Sequence, residues 1–258
     1  MMNIKRKIKV EIFKNFLDTS AGLSGEVLAS LMVMGIIAIL AIIVFIQAKF
    51  HDPLKKPKGL LFIAETGCGF FDGLVEDMMG PRFKGFGGYI MAVAVYLFIA
   101  FIFGLTGLPS PVTNLAVPLS LSLCTFVLIH ATSIRYTKFN YFKRYIEPIP
   151  FLLPVNLLTM WAPLLSMTLR LFGNAISGWA LMSIVYYFLQ LASGAVFTFV
   201  VEPWNQVFFA PIATPILHLY FDLFSGFIQT TIFIFLTMIN IGLEAPEDID
   251  TISVKGGN

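Results

Sequence analysis

One arginine limits what this chain can fold into. Between Glu147 and Glu202 the only charged residue is Arg170, set in Ser166-Met-Thr-Leu-Arg-Leu-Phe-Gly-Asn174. The flanks, from Pro154 to Leu165 and from Ala175 to Leu189, are of membrane type. At helical rise Arg170 lies roughly 24 Å or more from either end of its apolar segment. A guanidinium at mid-bilayer depth costs at least ~2.5–3.5 kcal/mol, and arginine cannot shed its proton to escape. Snorkelling needs a segment end within reach of the side chain, and neither end is close. Arg170 therefore faces a partner charge or a water-filled path.

Composition agrees with that setting. Hydrophobic residues make up 57% of the chain and charged residues 12%, about half the charge of a soluble domain. The class is an all-α polytopic membrane protein. Cys68 and Cys124 share no CxxC spacing and read as inert small apolar side chains. No metal, cofactor or nucleic-acid site is implied by any motif.

In chain order, residues 1–23 form a basic leader with Lys5, Arg6, Lys7, Lys9 and Lys14. Its Ile4, Ile8, Ile12 and Phe16 recur at helical spacing, which predicts an interfacial helix. Residues 24–258 form one membrane domain. Crossings are predicted at about 27–48, 89–108, 116–134, 154–193 and 208–242. Between the first two, residues 59–79 interleave Leu60, Ile63, Phe70, Leu74 and Met78 with Glu65, Asp72, Glu76 and Asp77. Four acids forbid a span, so this is an amphipathic surface helix. Ser120, Ser122, Thr125 and His130 in the third crossing should face protein rather than lipid.

Five crossings place the termini on opposite sides. Loops 49–87 and 135–147 hold ten Lys and Arg residues, whereas loops 109–114 and 193–207 hold none. The positive-inside rule puts the basic loops and the acidic tail in the cytoplasm, and the N-terminus outside. The basic leader argues the other way, and two concordant loops outweigh it.

The last two crossings carry the chemistry. On a regular helix Ser166, Asn174 and Ser177 share the face of Arg170, with Thr159 and Asn156 returning near it. Pro163 should bend that half. Between Glu202 and Glu244 the only acidic or basic residue besides His218 is Asp222. His218, Ser225, Gln229 and Asn240 share its face. Pairing the two segments as an antiparallel hairpin centred near residue 200 puts Gln229 beside Arg170. Asp222 then falls about two turns further out, level with Gly178 and Trp179. A fixed positive charge with polar groups on both sides reads as two half-paths and a barrier, because a cation cannot pass it in low dielectric.

Leu169-Arg-Leu-Phe-Gly-Asn174 resembles the signature of subunit a, the stator channel subunit of F-type ATP synthases. Residues 59–80, 108–115, Glu147-Pro, Leu153-Pro-Val-Asn-Leu and the run from Gln229 to Thr237 resemble other parts of the family. The resemblance implies that the last two helices form a long, strongly tilted hairpin against a rotating ring of c subunits. Peripheral-stalk b subunits and membrane lipid would be further partners. It implies that Arg170 draws the proton off each arriving c-ring carboxylate and blocks a leak, with Asn174 and Gln229 beside it. The subunit would be non-catalytic and would reside in a bacterial plasma membrane.

Two departures from the family pattern matter. Where members often carry glutamate nine residues after the arginine, this chain has Trp179. Seven before the glutamine it has Asp222, as though the outer carboxylate had crossed the hairpin. Members also tend to carry an acid near residues 159–160, where this chain has Thr159-Met160. The inner half-path then draws on Asn156, Thr159, Asn240, Glu147 and Glu244. His218 reads equally as an outer proton relay or as an interfacial hydrogen-bonding residue.

A secondary transporter with a midplane Arg/Asp site is the main alternative. It predicts an internal repeat with paired broken helices, and no second segment resembles 154–193. An intramembrane enzyme would need a nucleophile–base pair or metal cluster, and His51, His130 and His218 are scattered.

Overall fold

A computed structural model of the chain describes residues 24–52, 56–106, 108–138, 153–197 and 208–244. The basic leader, Glu147 and the acidic tail beyond Glu244 lie outside them. Every regular element among the described residues is helical. Five helical stretches are long and apolar enough to cross a membrane. The chain is an all-α polytopic membrane protein.

Helix α1 spans Gly25–Phe50, α2 Leu60–Met79, α3 Gly87–Ile102, α4 Ala116–Thr137 and α5 Leu153–Val196. The last span comprises α6, Ala210–His218, a π-helical turn over Leu219–Phe224, and α7, Ser225–Gly242. The 44-residue α5 continues through Pro163.

The described chain falls into two compact units. Among the described residues, the first comprises those up to 42 and those within 96–117 and 171–229, the second those within 43–95 and 118–170 and from 230 onward.

The second unit holds an apolar core. Val75, Phe83, Ile90, Ile129, Met238 and Ile241 pack together, with Phe71, Leu74 and Tyr136 against them. Helix α3 reaches this core because Ile90 and Ala94 recur at helical spacing and are both buried. Helix α2 ends at Gly80, whose φ of 88° suits a residue without Cβ, and Pro81 follows. Its four acids are exposed as expected, and Glu76 pairs with Lys84 at 3.1 Å. Its apolar stripe differs from expectation. Ile63 and Phe70 are exposed, and the packed face is Phe71, Leu74, Val75, Met78 and Met79. Helix α4 buries Ser122 and Thr125 and half-buries His130, while Ser120 is exposed against expectation. The Tyr89 hydroxyl bonds Thr125 at 3.0 Å.

The first unit is held by close polar contacts. Ser30 Oγ and the Tyr96 hydroxyl lie 2.6 Å apart, tying α1 to α3. Asn114 Nδ2 donates to Ser24 Oγ at 2.9 Å. Gly226 admits Phe101, because a Cβ there would stand 2.6 Å from the Phe101 Cβ. That close approach lets the start of α7 pack flat on α3.

Candidate functional site

Within the first unit α5 and the last span run antiparallel. Asn174 Nδ2 donates to Ser225 Oγ at 3.0 Å, and the Ser225 hydroxyl lies 3.1 Å from Asn174 Oδ1. Tyr186 lies opposite His218, and the Phe208 N–H donates to Ser193 Oγ at 3.1 Å. All three pairs are centred close to residue 200, the turn position expected from sequence.

Asp222 lies in the π-helical turn. Such turns take more residues per turn than an α-helix. The regular 3.6-residue phase assumed for His218, Asp222 and Ser225 is therefore broken between them. Pro215 precedes the turn and provides no N–H for the carbonyl of Pro211. His218 Nδ1 and Asp222 Oδ2 are 2.7 Å apart. The other ring nitrogen, Nε2, lies 3.0 Å from the Tyr186 hydroxyl. Phenol, imidazole and carboxylate thus form one hydrogen-bonded series.

This series opens on a cleft of about 980 Å³ within the same unit. Asn174, Gly178 and Trp179 of α5 line it together with Asp222. Glu26, in the first turn of α1, lines it too, as does the segment from Leu108 to Ser110. Gly104 stands beside the acid, since a Cβ there would lie 3.7 Å from the Asp222 carboxylate. The cleft carries groups able to pass a proton by hydrogen-bond exchange, and among the described residues no lysine or arginine lines it.

The remaining predicted residues are placed as follows. Arg170 and Ser166 are exposed, and the guanidinium makes no hydrogen bond or ion pair among the described residues. Gln229 is 5% exposed, and its Nε2 has no partner among the described residues. Ser177 bonds the Asn174 carbonyl, and Thr159 the Val155 carbonyl. Both hydroxyls are thus satisfied within their own helix. Asn240 Nδ2 lies 3.9 Å from Met167 Sδ. Asn156 and Glu244 are partly buried. Among the described residues no three His, Cys, Asp or Glu side chains are grouped to hold a metal.

Sequence reasoning missed Glu26, Gly104 and Tyr186. Glu26 abuts the first apolar run and passed as its edge. Tyr186 was legible in principle, because Ala175, Trp179, Met182 and Tyr186 recur at the four- and three-residue spacing of one helix face.

The family described as ATP synthase A chain matches residues 28–242. The chain belongs to this family. It is 29% identical over 241 residues to ATP synthase subunit a of Mycoplasma pneumoniae, across 86% of this chain and 82% of that protein. Against subunit a of Staphylococcus saprophyticus the identity is 31% over 228 residues, 82% and 88% of the two chains. A subunit a of Propionigenium modestum named as sodium ion specific is 30% identical over 195 residues, 69% and 60% of the two chains. As a subunit a family member, the chain is a multi-pass, ion-translocating membrane subunit of a bacterial ATP synthase. It sits in that complex with other subunits and is not itself the catalytic part.

The cleft makes a first prediction in this setting. Alanine at Gly104 places a Cβ in ordinary contact with Asp222, so Gly104→Ala keeps ATP-driven ion pumping near the parent rate. Phenylalanine fills the space beside the acid. Gly104→Phe should lower pumping by roughly tenfold, about 1.4 kcal/mol in barrier, measured in inverted membrane vesicles.

Proposed function

We propose that the chain forms two offset half-paths that carry protons to and from the carboxylates of a c-subunit ring, coupling ion flow to rotation. One observation supports this above the others. Helix α5 leaves its one charged residue, Arg170, exposed on a face that its own chain does not cover. Around Arg170, Leu165, Leu169, Ile176 and Trp179 are all exposed. Lipid suits those apolar side chains but not a permanent cation. A surface that meets apolar side chains and a carboxylate suits both. The carboxylate of an arriving c subunit is favoured in its charged form near the guanidinium, so it releases its proton there.

On this reading the cleft lined by Glu26, His218 and Asp222 is the outer half-path, and Asp222 is its deep acid. Asn174 and Gln229 are further residues of the ion path. Asn156, Thr159, Asn240, Glu244 and Glu147 serve the inner half-path, with Ser166, Ser177 and Ser225 as supporting hydroxyls. The N-terminus lies outside and the C-terminus in the cytoplasm, with residues 24–258 acting as one membrane domain. The b subunits of the peripheral stalk hold it against rotation.

Cysteine cross-linking tests the ring-facing surface. Leu169→Cys and Ile176→Cys should each form a disulfide with a cysteine placed beside the c-subunit carboxylate. Leu171→Cys, buried in this chain, should not. An intact complex in which neither exposed position cross-links to the c subunit would overturn the proposal.

A further inference from the structure

Away from the ion path, a pocket of about 690 Å³ lies where α1 ends and α2 begins, within the second unit. Gln47, Phe50, His51, Lys56, Lys58 and Leu61 line it. We propose that this pocket binds the phosphate of an anionic phospholipid headgroup.

Charge sets the sign of the ligand. The C-terminal end of α1 and the N-terminal end of α2 both reach the pocket, through Phe50 and Leu61. The partial charges of those two helix ends are opposite and similar in size, so they largely offset each other. The side chains therefore decide. Lys56 and Lys58 are exposed ammonium groups, and an ammonium binds phosphate as a point charge. Gln47 adds amide donors and His51 a ring N–H. Among the described residues no Asp or Glu lines the pocket. Asp52 follows His51, and Glu65 lies one turn beyond Leu61, yet neither is a lining group.

The apolar surroundings select a lipid over a soluble anion. Ile43 and Ile46 precede Phe50 at three- and four-residue spacing, so the three share one helix face, and all are exposed. That face runs roughly 10 Å along α1 from the pocket at helical rise, which is where an acyl chain enters the hydrocarbon. Lysines at the end of a span also mark the cytoplasmic side while facing only water. Here two of them are gathered with His51 on one concavity beside an exposed apolar face, the arrangement of a basic pocket that holds a headgroup. Each lysine near the surface favours an anionic over a zwitterionic lipid by roughly fivefold, so the pair together gives about 30-fold. On the orientation proposed above, the lipid belongs to the cytoplasmic leaflet. Bound there, it holds the end of α1 and the start of α2 at the membrane surface.

The test uses the whole ATP synthase in phosphatidylcholine vesicles with a trace of photoactivatable lipid. The diazirine sits close to the headgroup, on either phosphatidylglycerol or phosphatidylcholine. Labelled peptides are quantified, and the exposed Leu123 and Val127 of α4 serve as the bulk-lipid reference. The phosphatidylglycerol probe should label residues 43–61 about 30-fold more than the phosphatidylcholine probe, relative to that reference. Lys56→Gln with Lys58→Gln should make the two probes equal, and the double arginine variant should keep the preference. Excess inorganic phosphate should leave the labelling unchanged. Equal labelling by the two probes in the parent enzyme overturns the proposal without any variant, and so does an unaltered preference in the double glutamine variant. Competition by inorganic phosphate overturns it in favour of a soluble-anion site. An absence of label over 43–61 in the parent means that protein, not lipid, covers the pocket, and overturns it too. Should the double glutamine variant fail to assemble, each single glutamine variant should retain about a fivefold preference, and a full 30-fold in both would refute the role of the lysines.

Discussion

Arg170→Ala should abolish ATP synthesis driven by the ion gradient while the complex still assembles. The guanidinium is exposed, unpaired among the described residues and set in an uncovered apolar surface. A carboxylate arriving at about 4 Å interacts with it by about 4 kcal/mol at an effective dielectric of 20. Removing that attraction lowers the release of ions from the carboxylate by roughly 10³-fold. The same substitution removes the fixed charge that separates the half-paths, so passive proton leak should rise. Arg170→Lys should restore only part of the coupling, because an ammonium is a compact, strongly hydrated charge without the planar fork that fits a carboxylate. ATP-driven pumping and passive leak in inverted vesicles, with c-subunit co-purification as the assembly check, measure all three effects. Normal pumping by Arg170→Ala would end the stator reading.

The helices were legible because their signal is long and local. Uncharged runs predicted spans at 27–48 and 116–134, and the structure has helices at Gly25–Phe50 and Ala116–Thr137. The hairpin register was legible for a simple geometric reason. An antiparallel pair with one turn keeps every contact centred on that turn, and Asn174 with Ser225 and Tyr186 with His218 both do so. The finer placement was not legible. Helix α2 has apolar residues around much of its circumference. Which of them pack is decided by Ile129 and Met238, which are remote in sequence. The π-helical turn at Leu219–Phe224 breaks the phase that a 3.6-residue count assumes, and no single residue announces it. Tyr186 was hidden because a phenol in an apolar run reads as packing until its partner is known. Arg170 and Asp222 stood out because a charge within a span needs a reason for being there.

Asp222→Asn should lower proton-driven ATP synthesis by at least about 10²-fold, the lower range for removing a group that carries protons in a reaction path. The substitution is nearly isosteric. The asparagine Oδ1 still accepts from His218 Nδ1, so the cleft and the packing around Gly104 stay in place and the complex should assemble. What is lost is the ability to hold and release a proton at that depth. The placement of the acid predicts a specific rescue. Trp179 and Asp222 line the same cleft from opposite strands of the hairpin. A carboxylate returned to position 179 can therefore reach the same water as the one removed from position 222. Trp179→Glu in the Asp222→Asn background should recover a measurable part of the pumping, whereas Trp179→Gln should recover none. If the path requires only an acid at this depth, the helix that carries it is immaterial. Equal pumping by the glutamate and glutamine variants would show instead that Asp222 acts through its contact with His218 and not as a proton-holding site.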